Sequence, residues 1–388
     1  MKVLIATDLY KPLVNGVVTS VINLRQGLEK LGHEVRILAL ANSKTTIFED
    51  GVYYIGSYDF SVFYPEVRIT SGHMTKEIED ISIWKPDIIH TQIEFSTFSI
   101  AKRIAKKNNI PMVHTYHTLY EDYAHYMSLS KRVAKLAAII GTNSVGRRVE
   151  CIITPTTKIK KVIEGYGVDC DLAIIPSGIS LERFSEPIGI ETINNLKMRY
   201  GISLDDIVMV SVSRIGREKN IDELIQNVSE LKEKPVTLLI VGDGPYKPHL
   251  EEMVQKLGVE EKVRFVGMIE PEEIAIYYKM ADIFVSASTS ETQGLTYIEA
   301  LASGTPLLCK IDECLEGVLF EGVNGYGFEN SEEFLTKLDC FMTVENKGVM
   351  SVNAKTGVEK YAIDQFAKSV ESIYKKYIVI EDNGENQI

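Results

Sequence analysis

The fold can be read from Ala281-Asp282-Ile283-Phe284-Val285-Ser286-Ala287-Ser288-Thr289-Ser290-Glu291-Thr292-Gln293-Gly294-Leu295-Thr296-Tyr297-Ile298-Glu299-Ala300. Residues 281–288 form an apolar run of the length of a buried strand. A polar loop follows at 289–294. A helix then opens near Leu295 and closes before Gly304-Thr305-Pro306. Such a strand, loop and helix start turns free backbone N–H groups and the positive helix end toward an anion. Glu291 falls on the loop and Glu299 about one turn into the helix. One acid can then hold sugar hydroxyls and the other a ribose, with a diphosphate between them. Taken singly, each glutamate also reads as a dipole-offsetting acid or a solvated helical residue, but that does not account for the whole string.

The rest of the chain repeats this alternation. Strands are predicted at 2–7, 34–40, 88–91, 112–115, 151–154 and 173–176, with a helix over 18–31 that stops at Gly32. A polar stretch at 179–203 precedes a second series, at 207–213, 236–241, 263–266, 283–287 and 306–309. Strands spaced by helical patterns predict parallel sheets with helices on both faces. The boundary falls near 178–201, and residues 381–388 read as a frayed end. At 388 residues with 45% apolar content, the chain is two domains long and can build two cores.

Bulk properties narrow the function. A net charge of −12 argues against a general nucleic-acid binder. No apolar run approaches the ~20 residues that span a bilayer, and the first apolar run breaks at Thr7-Asp8, too soon for a signal peptide. Five scattered cysteines without a CxxC pair suit a reducing compartment and suggest no zinc site. The expectation is a cytoplasmic protein whose membrane contact is made at the surface.

In open α/β sheets, ligands bind beyond the carboxyl ends of the strands, so residues there carry the argument. After the first predicted strand, Asn15-Gly16-Val17 replaces the G-x-G-x-x-G of a dinucleotide enzyme, and Gly16 before a helix allows close backbone approach. This could equally be a plain turn. His117 follows the strand at 112–115, where it can donate or accept near a sugar, while His114 reads as core. Arg214 and Lys219, five apart across a glycine turn, suit a diphosphate as bidentate guanidinium and point ammonium. Gly242-Asp243-Gly244-Pro245 is assigned to shape. The string 141–148 nearly mimics a P-loop but lacks its Lys-Ser/Thr pair and follows no strand.

Glu291-x7-Glu299 within Ser-Glu-Thr-Gln-Gly-Leu-Thr-Tyr-Ile-Glu-Ala-Leu-Ala-Ser-Gly-Thr-Pro resembles the donor-site signature of family 4 retaining glycosyltransferases, and Arg214-x4-Lys219 matches that family's basic pair. The resemblance covers nearly the whole chain. It implies the α/β GT-B fold, two Rossmann-like parallel-sheet domains facing across a cleft. The division would be 1–178 toward acceptor and membrane, 179–203 as linker and 204–361 for the nucleotide-sugar donor, with the helical tail 362–388 packing back on the first domain. It further implies that His117 binds the donor sugar's outer hydroxyl, that Gly267 lies by the base, and that Gln293, Gly294, Leu295 and Thr296 meet the phosphates.

Retaining transfer from a nucleotide requires the diphosphate's growing charge to be stabilised. Arg214, Lys219 and the N–H groups near 294–296 supply that, and losing one such donor typically costs ~3 kcal/mol in the barrier. Cationic side chains and a helix dipole can replace a metal, so none is expected. Glu291 and Glu299 do not suit a double displacement with carboxylates ~5 Å apart. Front-face displacement, in which the leaving phosphate helps deprotonate the acceptor, is favoured through the resemblance.

Between residues 131 and 163, Lys131, Arg132, Lys135, Arg147, Arg148, Lys158, Lys160 and Lys161 face one acid, Glu150, a net +7 against −19 for the remainder. Val133, Leu136, Ala137, Ile139 and Ile140 interleave with the bases, which reads as a membrane-surface element or as a core helix with a solvated basic face. The segment 114–123, Asn15-Gly16-Val17 and 291–296 resemble the family's bacterial diacylglycerol glucosyltransferases. That implies a UDP-sugar donor, a lipid acceptor and an anionic membrane surface at the inner face of the cell membrane. Tyr116, Tyr120, Tyr123 and Tyr126 wall a lipid entry or pack in a core. The alternatives are the same donor chemistry on a polysaccharide, teichoic acid or lipid-linked glycan, and a non-catalytic nucleotide-sugar sensor.

Overall fold

A computed structural model describes residues 1–60, 67–70, 75–121, 130–231 and 234–378. The chain forms two compact units, Met1–Gly178 joined by the chain from Ile363 onward, and Ile179–Ala362.

The first unit holds strands β1 (Lys2–Ala6), β2 (Glu34–Leu40), β3 (Ile47–Glu49), β4 (Val52–Ile55), β5 (Tyr58–Asp59), β6 (Arg68–Ile69), β7 (Ile88–Thr91), β8 (Met112–Thr115), β9 (Cys151–Thr154) and β10 (Asp171–Ile174). Eight make one sheet in the order β10-β9-β8-β7-β1-β2-β4-β3. All its pairs are parallel except the edge pair β3–β4. The central strands are buried along their whole length, as a sheet covered by helices on both faces requires. β5 and β6 form a separate ribbon.

The second unit holds β11 (Ile207–Val212), β12 (Val236–Val241), β13 (Val263–Gly267), β14 (Ile283–Ser286), β15 (Leu307–Lys310) and β16 (Gly325–Phe328), in the order β13-β12-β11-β14-β15-β16. Counted within the unit this is the doubly wound order 3-2-1-4-5-6, and the strand order reverses between β11 and β14. In the first sheet the same reversal lies between β1 and β7.

The chain returns to the first unit through the helix Ile363–Tyr377, which buries Ile363, Phe366, Ala367, Val370 and Tyr374 at helical spacing. They share a core with Val21, Leu24 and Leu28 of the helix Gly16–Lys30. Gly27 makes the contact possible, since a Cβ there would stand 2.6 Å from the Ala367 Cβ. Tyr374 also reaches His90 Nδ1 at 2.7 Å, and Asp171 holds Lys376 and Tyr377.

The structure corrects several local expectations. Residues 179–203 are no linker: the helices Leu181–Ser185 and Ile190–Arg199 lie there, and Phe184 is buried in the second unit's core. Their alternating polar residues face solvent, which hides the helices from a hydropathy scan. β10 begins two residues before its predicted start, on an edge where apolar burial does not mark the strand. β3, β4, β5, β6 and β16 escaped prediction. β16 is Gly-Tyr-Gly-Phe, and it needs its first glycine because a Cβ on Gly325 would lie 2.2 Å from the Leu307 carbonyl oxygen. Residues 141–146, where the sequence nearly mimics a P-loop but reads as none, are the end of the helix Lys131–Gly146. Gly27→Val should overpack the helix contact and lower unfolding free energy by about 1–3 kcal/mol, read as a shifted denaturant midpoint, whereas Gly141→Ala, with open space at its Cβ, should not.

Candidate active site

The second unit's site is built where β11 and β14 end side by side, paired in parallel through Met209–Ile283 and Val210–Phe284. The chain leaving β11 carries Arg214 into the short turn Arg217–Lys219, and the chain leaving β14 carries Glu291. Lys219 Nζ donates to Glu291 Oε1 at 2.5 Å, and Arg214 Nη2 donates to Glu218 Oε1 at 2.5 Å. Ser290 Oγ donates to the Glu218 carbonyl at 3.1 Å, which ties the two loops. The glycine turn after β12 shapes the floor: a Cβ on Gly242 would lie 1.9 Å from the Ser213 carbonyl oxygen, and one on Gly244 2.4 Å from that of Ile215.

The helix Leu295–Ser303 opens at Gly294, whose φ of +73° is left-handed and which gives the helix no side-chain cap. A Cβ at Gly294 would stand 2.4 Å from the Tyr297 ring, so glycine is required both by conformation and by space. The first-turn N–H groups, including those of Leu295 and Thr296, have no acceptor within the helix and carry its positive end. Gln293 is buried beside them. One turn on, Glu299 Oε2 accepts from Tyr278 Oη at 2.8 Å. Burial raises the Glu299 carboxyl above the ordinary range, partly offset by Tyr278 and Arg183. Gly267 ends β13 at φ +87°, and its carbonyl accepts from Gly242 N at 2.9 Å. The structure thus gathers Arg214, Lys219, Glu291, Gln293, Gly294, Leu295 and Thr296 at one strand-order reversal.

A second cluster occupies the corresponding reversal in the first unit. Asn15 caps the helix Gly16–Lys30, its Oδ1 accepting from Val18 N at 3.0 Å, and Gly16 is the first helical residue. Asp8, after β1, accepts from Ser96 N at 2.9 Å and Thr97 N at 2.8 Å, fastening the β1 loop to the helix Ser96–Asn108. His117 follows β8, with Nε2 2.7 Å from Gln92 Oε1. Burial lowers the His117 pKa to about 4, with a smaller contribution from His114, so the ring is neutral near pH 7. Tyr120 donates to Glu94, and His114, buried in β8 as expected, places Nε2 3.3 Å from the same carboxylate.

The basic stretch divides. On the helix Lys131–Gly146, Arg132 and Lys135 are exposed, as are Val133, Leu136 and Ile140, while Ala134, Ala138, Thr142 and Val145 face the core. Arg147 and Arg148 lie past the helix end, ~20 Å along the axis from Arg132 at 1.5 Å per residue, and Arg148 bonds Ser144. Arg132 and Lys135 therefore lie toward one end of this helix, and Arg147 and Arg148 just past the other. The side chain of Lys131, together with Asp122, Tyr123 and Tyr126, lies outside the described residues; Tyr116 is core.

Sequence reasoning missed Glu218, Tyr278, Asp8, Gln92 and Glu94. Glu218 sits in the charged run Arg217-Glu218-Lys219 and reads as surface. Gln92 and Glu94 follow a predicted strand, and that position was their only signal.

The fold and these strand-end loops define a GT-B glycosyltransferase. Among solved structures with this fold, Anabaena HepE in complex with UDP and glucose superposes with a TM-score of 0.76 at 17% identity, covering 97% of this chain and all of that one. WaaG, a glycosyltransferase involved in lipopolysaccharide biosynthesis, superposes at 0.71 and 16%, covering 96% and 99%. The family model "Glycosyltransferase Family 4" matches residues 14–183, and "Glycosyl transferases group 1" matches 192–355. The α-monoglucosyldiacylglycerol synthase of Acholeplasma laidlawii is 35% identical over 96% of both chains, and that of Streptococcus pneumoniae is 34% identical over 98% of this chain and 86% of its own. The chain belongs to glycosyltransferase family 4 and is a hexosyltransferase.

A depressed His117 pKa has a pH consequence. Between about pH 4 and 6.5 the unfolded state binds a proton that folded His117 refuses, so stability falls as pH drops through that window, by at most ~1.4 kcal/mol per pH unit. Burial also lowers His90 well below the ordinary histidine value, which acts in the same direction. Thermal melting should show a lower Tm at pH 5 than at pH 7, with a smaller decrease in His117→Asn.

Proposed function

We propose that this hexosyltransferase moves glucose from UDP-glucose to the free hydroxyl of diacylglycerol at an anionic membrane surface, with retention, giving α-glucosyl diacylglycerol. The observation that carries the acceptor is the exposed face of the helix Lys131–Gly146, where Val133, Leu136 and Ile140 stand out among Arg132 and Lys135. Such a face suits the interface of a bilayer, apolar side chains entering and cations meeting anionic headgroups. Similarity to two α-monoglucosyldiacylglycerol synthases along nearly the whole chain supports the same reading. Among the described residues no helix is long and apolar enough to cross a membrane, so contact through a surface helix fits.

In this reading the donor's diphosphate lies on the N-terminus of the helix Leu295–Ser303, between Arg214 and Lys219. Before the donor arrives both cations are paired with carboxylates, and the incoming phosphates take over those hydrogen bonds. Glu299, one oxygen already held by Tyr278, offers the other to the ribose, and Gly267 lies by the base. Glu291 holds the sugar's hydroxyls. As the bond from the anomeric carbon to the phosphate oxygen breaks, the electron pair stays on UDP, where the fixed donors stabilise it. The acceptor oxygen attacks from the same face, and its proton passes to the leaving phosphate. These cations and N–H groups supply the charge stabilisation a metal would, so the reaction is expected to run without one.

UDP release from UDP-glucose tests the reading, with and without vesicles of diacylglycerol and phosphatidylglycerol. Release should require the diacylglycerol, persist in EDTA, and fall at least about tenfold in Glu291→Ala, the worth of one charge-assisted hydrogen bond. Turnover on glycan acceptors with none on lipid would overturn the acceptor. Sedimentation with phosphatidylglycerol vesicles should weaken in Arg132→Ser/Lys135→Ser and with added salt; unchanged binding would remove this helix as the membrane contact.

A further inference from the structure

We infer that Glu94 is a further acceptor-site residue: with Phe95 and Tyr120 it seats the hydroxyl-bearing end of the amphiphilic acceptor. This rests on the transfer reaction proposed above and adds a binding role for a residue which that mechanism does not use.

Glu94 lies just past β7, at the strand-order reversal of the first sheet, where open α/β sheets take their ligands. Its side chain is only 13% exposed. Burying a carboxylate costs several kcal/mol unless it is well bonded. Three groups meet it: His114 Nε2 at 3.3 Å from Oε1, the Tyr120 hydroxyl on Oε2, and its own backbone N–H. Burial alone would raise its pKa, but these bonds outweigh it and hold the carboxyl below the ordinary value, so it is an anion at neutral pH. An ionised carboxylate offers about four lone-pair sites, so three bonds leave it able to accept from a ligand hydroxyl.

The neighbours supply the apolar half. Phe95 is 53% exposed. Its ring meets Tyr120 edge-on at 6.0 Å, and Tyr120 meets the buried Tyr116 at 6.3 Å. Tyr120 therefore joins the two halves, its hydroxyl on the carboxylate and its ring on the exposed phenyl. A buried anion beside a half-bare aromatic ring fits a ligand that changes from hydroxyl to hydrocarbon over a few atoms, as glycerol lipids do. A plain hydrocarbon would gain nothing from Glu94. The same loop holds His117 through Gln92, which links acceptor seat and sugar contact through four successive residues, 92–95.

The test is steady-state transfer from UDP-glucose to 1,2-dioleoylglycerol in mixed micelles, with both KM values measured. Glu94→Gln should raise the acceptor KM about 10- to 100-fold, the worth of a hydrogen bond to a charged group. The KM for UDP-glucose and the Kd for UDP should stay near wild type, and Glu94→Asp should recover part of the loss. A residue that only braced the fold would shift both KM values or the melting temperature instead. A wild-type acceptor KM in Glu94→Gln, or an equal rise in both KM values, overturns the inference. If Glu94→Gln does not fold, Phe95→Ser carries the test, because truncating an exposed ring opens no core. A raised acceptor KM there sustains the seat and an unchanged one removes it. Wild-type protein that transfers to no lipid would instead defeat the proposed function itself.

Discussion

Everything about the second unit's site depends on β11 and β14 being neighbours. They pair in parallel although two strands lie between them in sequence, because the chain winds outward from β11 on one side through β12 and β13 before returning on the other. The loops leaving these two strands turn to opposite faces of the sheet and open a crevice between them. Arg214 and Lys219 come from one loop, Glu291 and the open helix end from the other. A slip in either strand would shift where these loops start. The buried runs Ile-Val-Met-Val-Ser-Val and Ile-Phe-Val-Ser secure that register.

The charges at the crevice are balanced within the protein. Arg214 rests on Glu218 and Lys219 on Glu291, each at 2.5 Å. Isolated cations half-removed from water would carry a desolvation cost and attract any anion; paired ones are held in place. A diphosphate carries more than one negative charge and two sets of oxygens, so it can compete for both cations at once while a monoanion cannot. The open end of the helix Leu295–Ser303 adds donors that no side chain caps.

The first unit reuses the topology with different chemistry. Among the described residues, its reversal between β1 and β7 shows no cationic pair. Instead buried acids and histidines are cross-bonded: Asp8 to the helix Ser96–Asn108, Glu94 to His114 and Tyr120, Gln92 to His117. Such a network is rigid only when its members are satisfied together. It holds buried acids on neighbouring donors, where the second unit pairs cations with carboxylates.

Local sequence determined the elements and the charge of the donor site. Strand runs, the break at Gly294 and the Arg-x4-Lys spacing are short-range patterns, and the chemistry they need is written within a dozen residues. Low-propensity strands such as Gly325–Phe328 escaped, because there glycine serves close backbone approach to Leu307, a contact made far away in sequence. The partners were also unreadable. Glu218 looks like one more surface charge until Arg214 folds onto it, and Tyr278 reads as core until Glu299 arrives from the next helix. Whether Val133, Leu136 and Ile140 faced the core or the solvent could not be told from helical spacing, since two apolar faces alternate on that helix. Only the packing of Ala134, Ala138 and Val145 against the sheet decided which one stayed exposed. Spacing along a chain specifies what is adjacent on one element; burial and pairing depend on what the other elements bring to it.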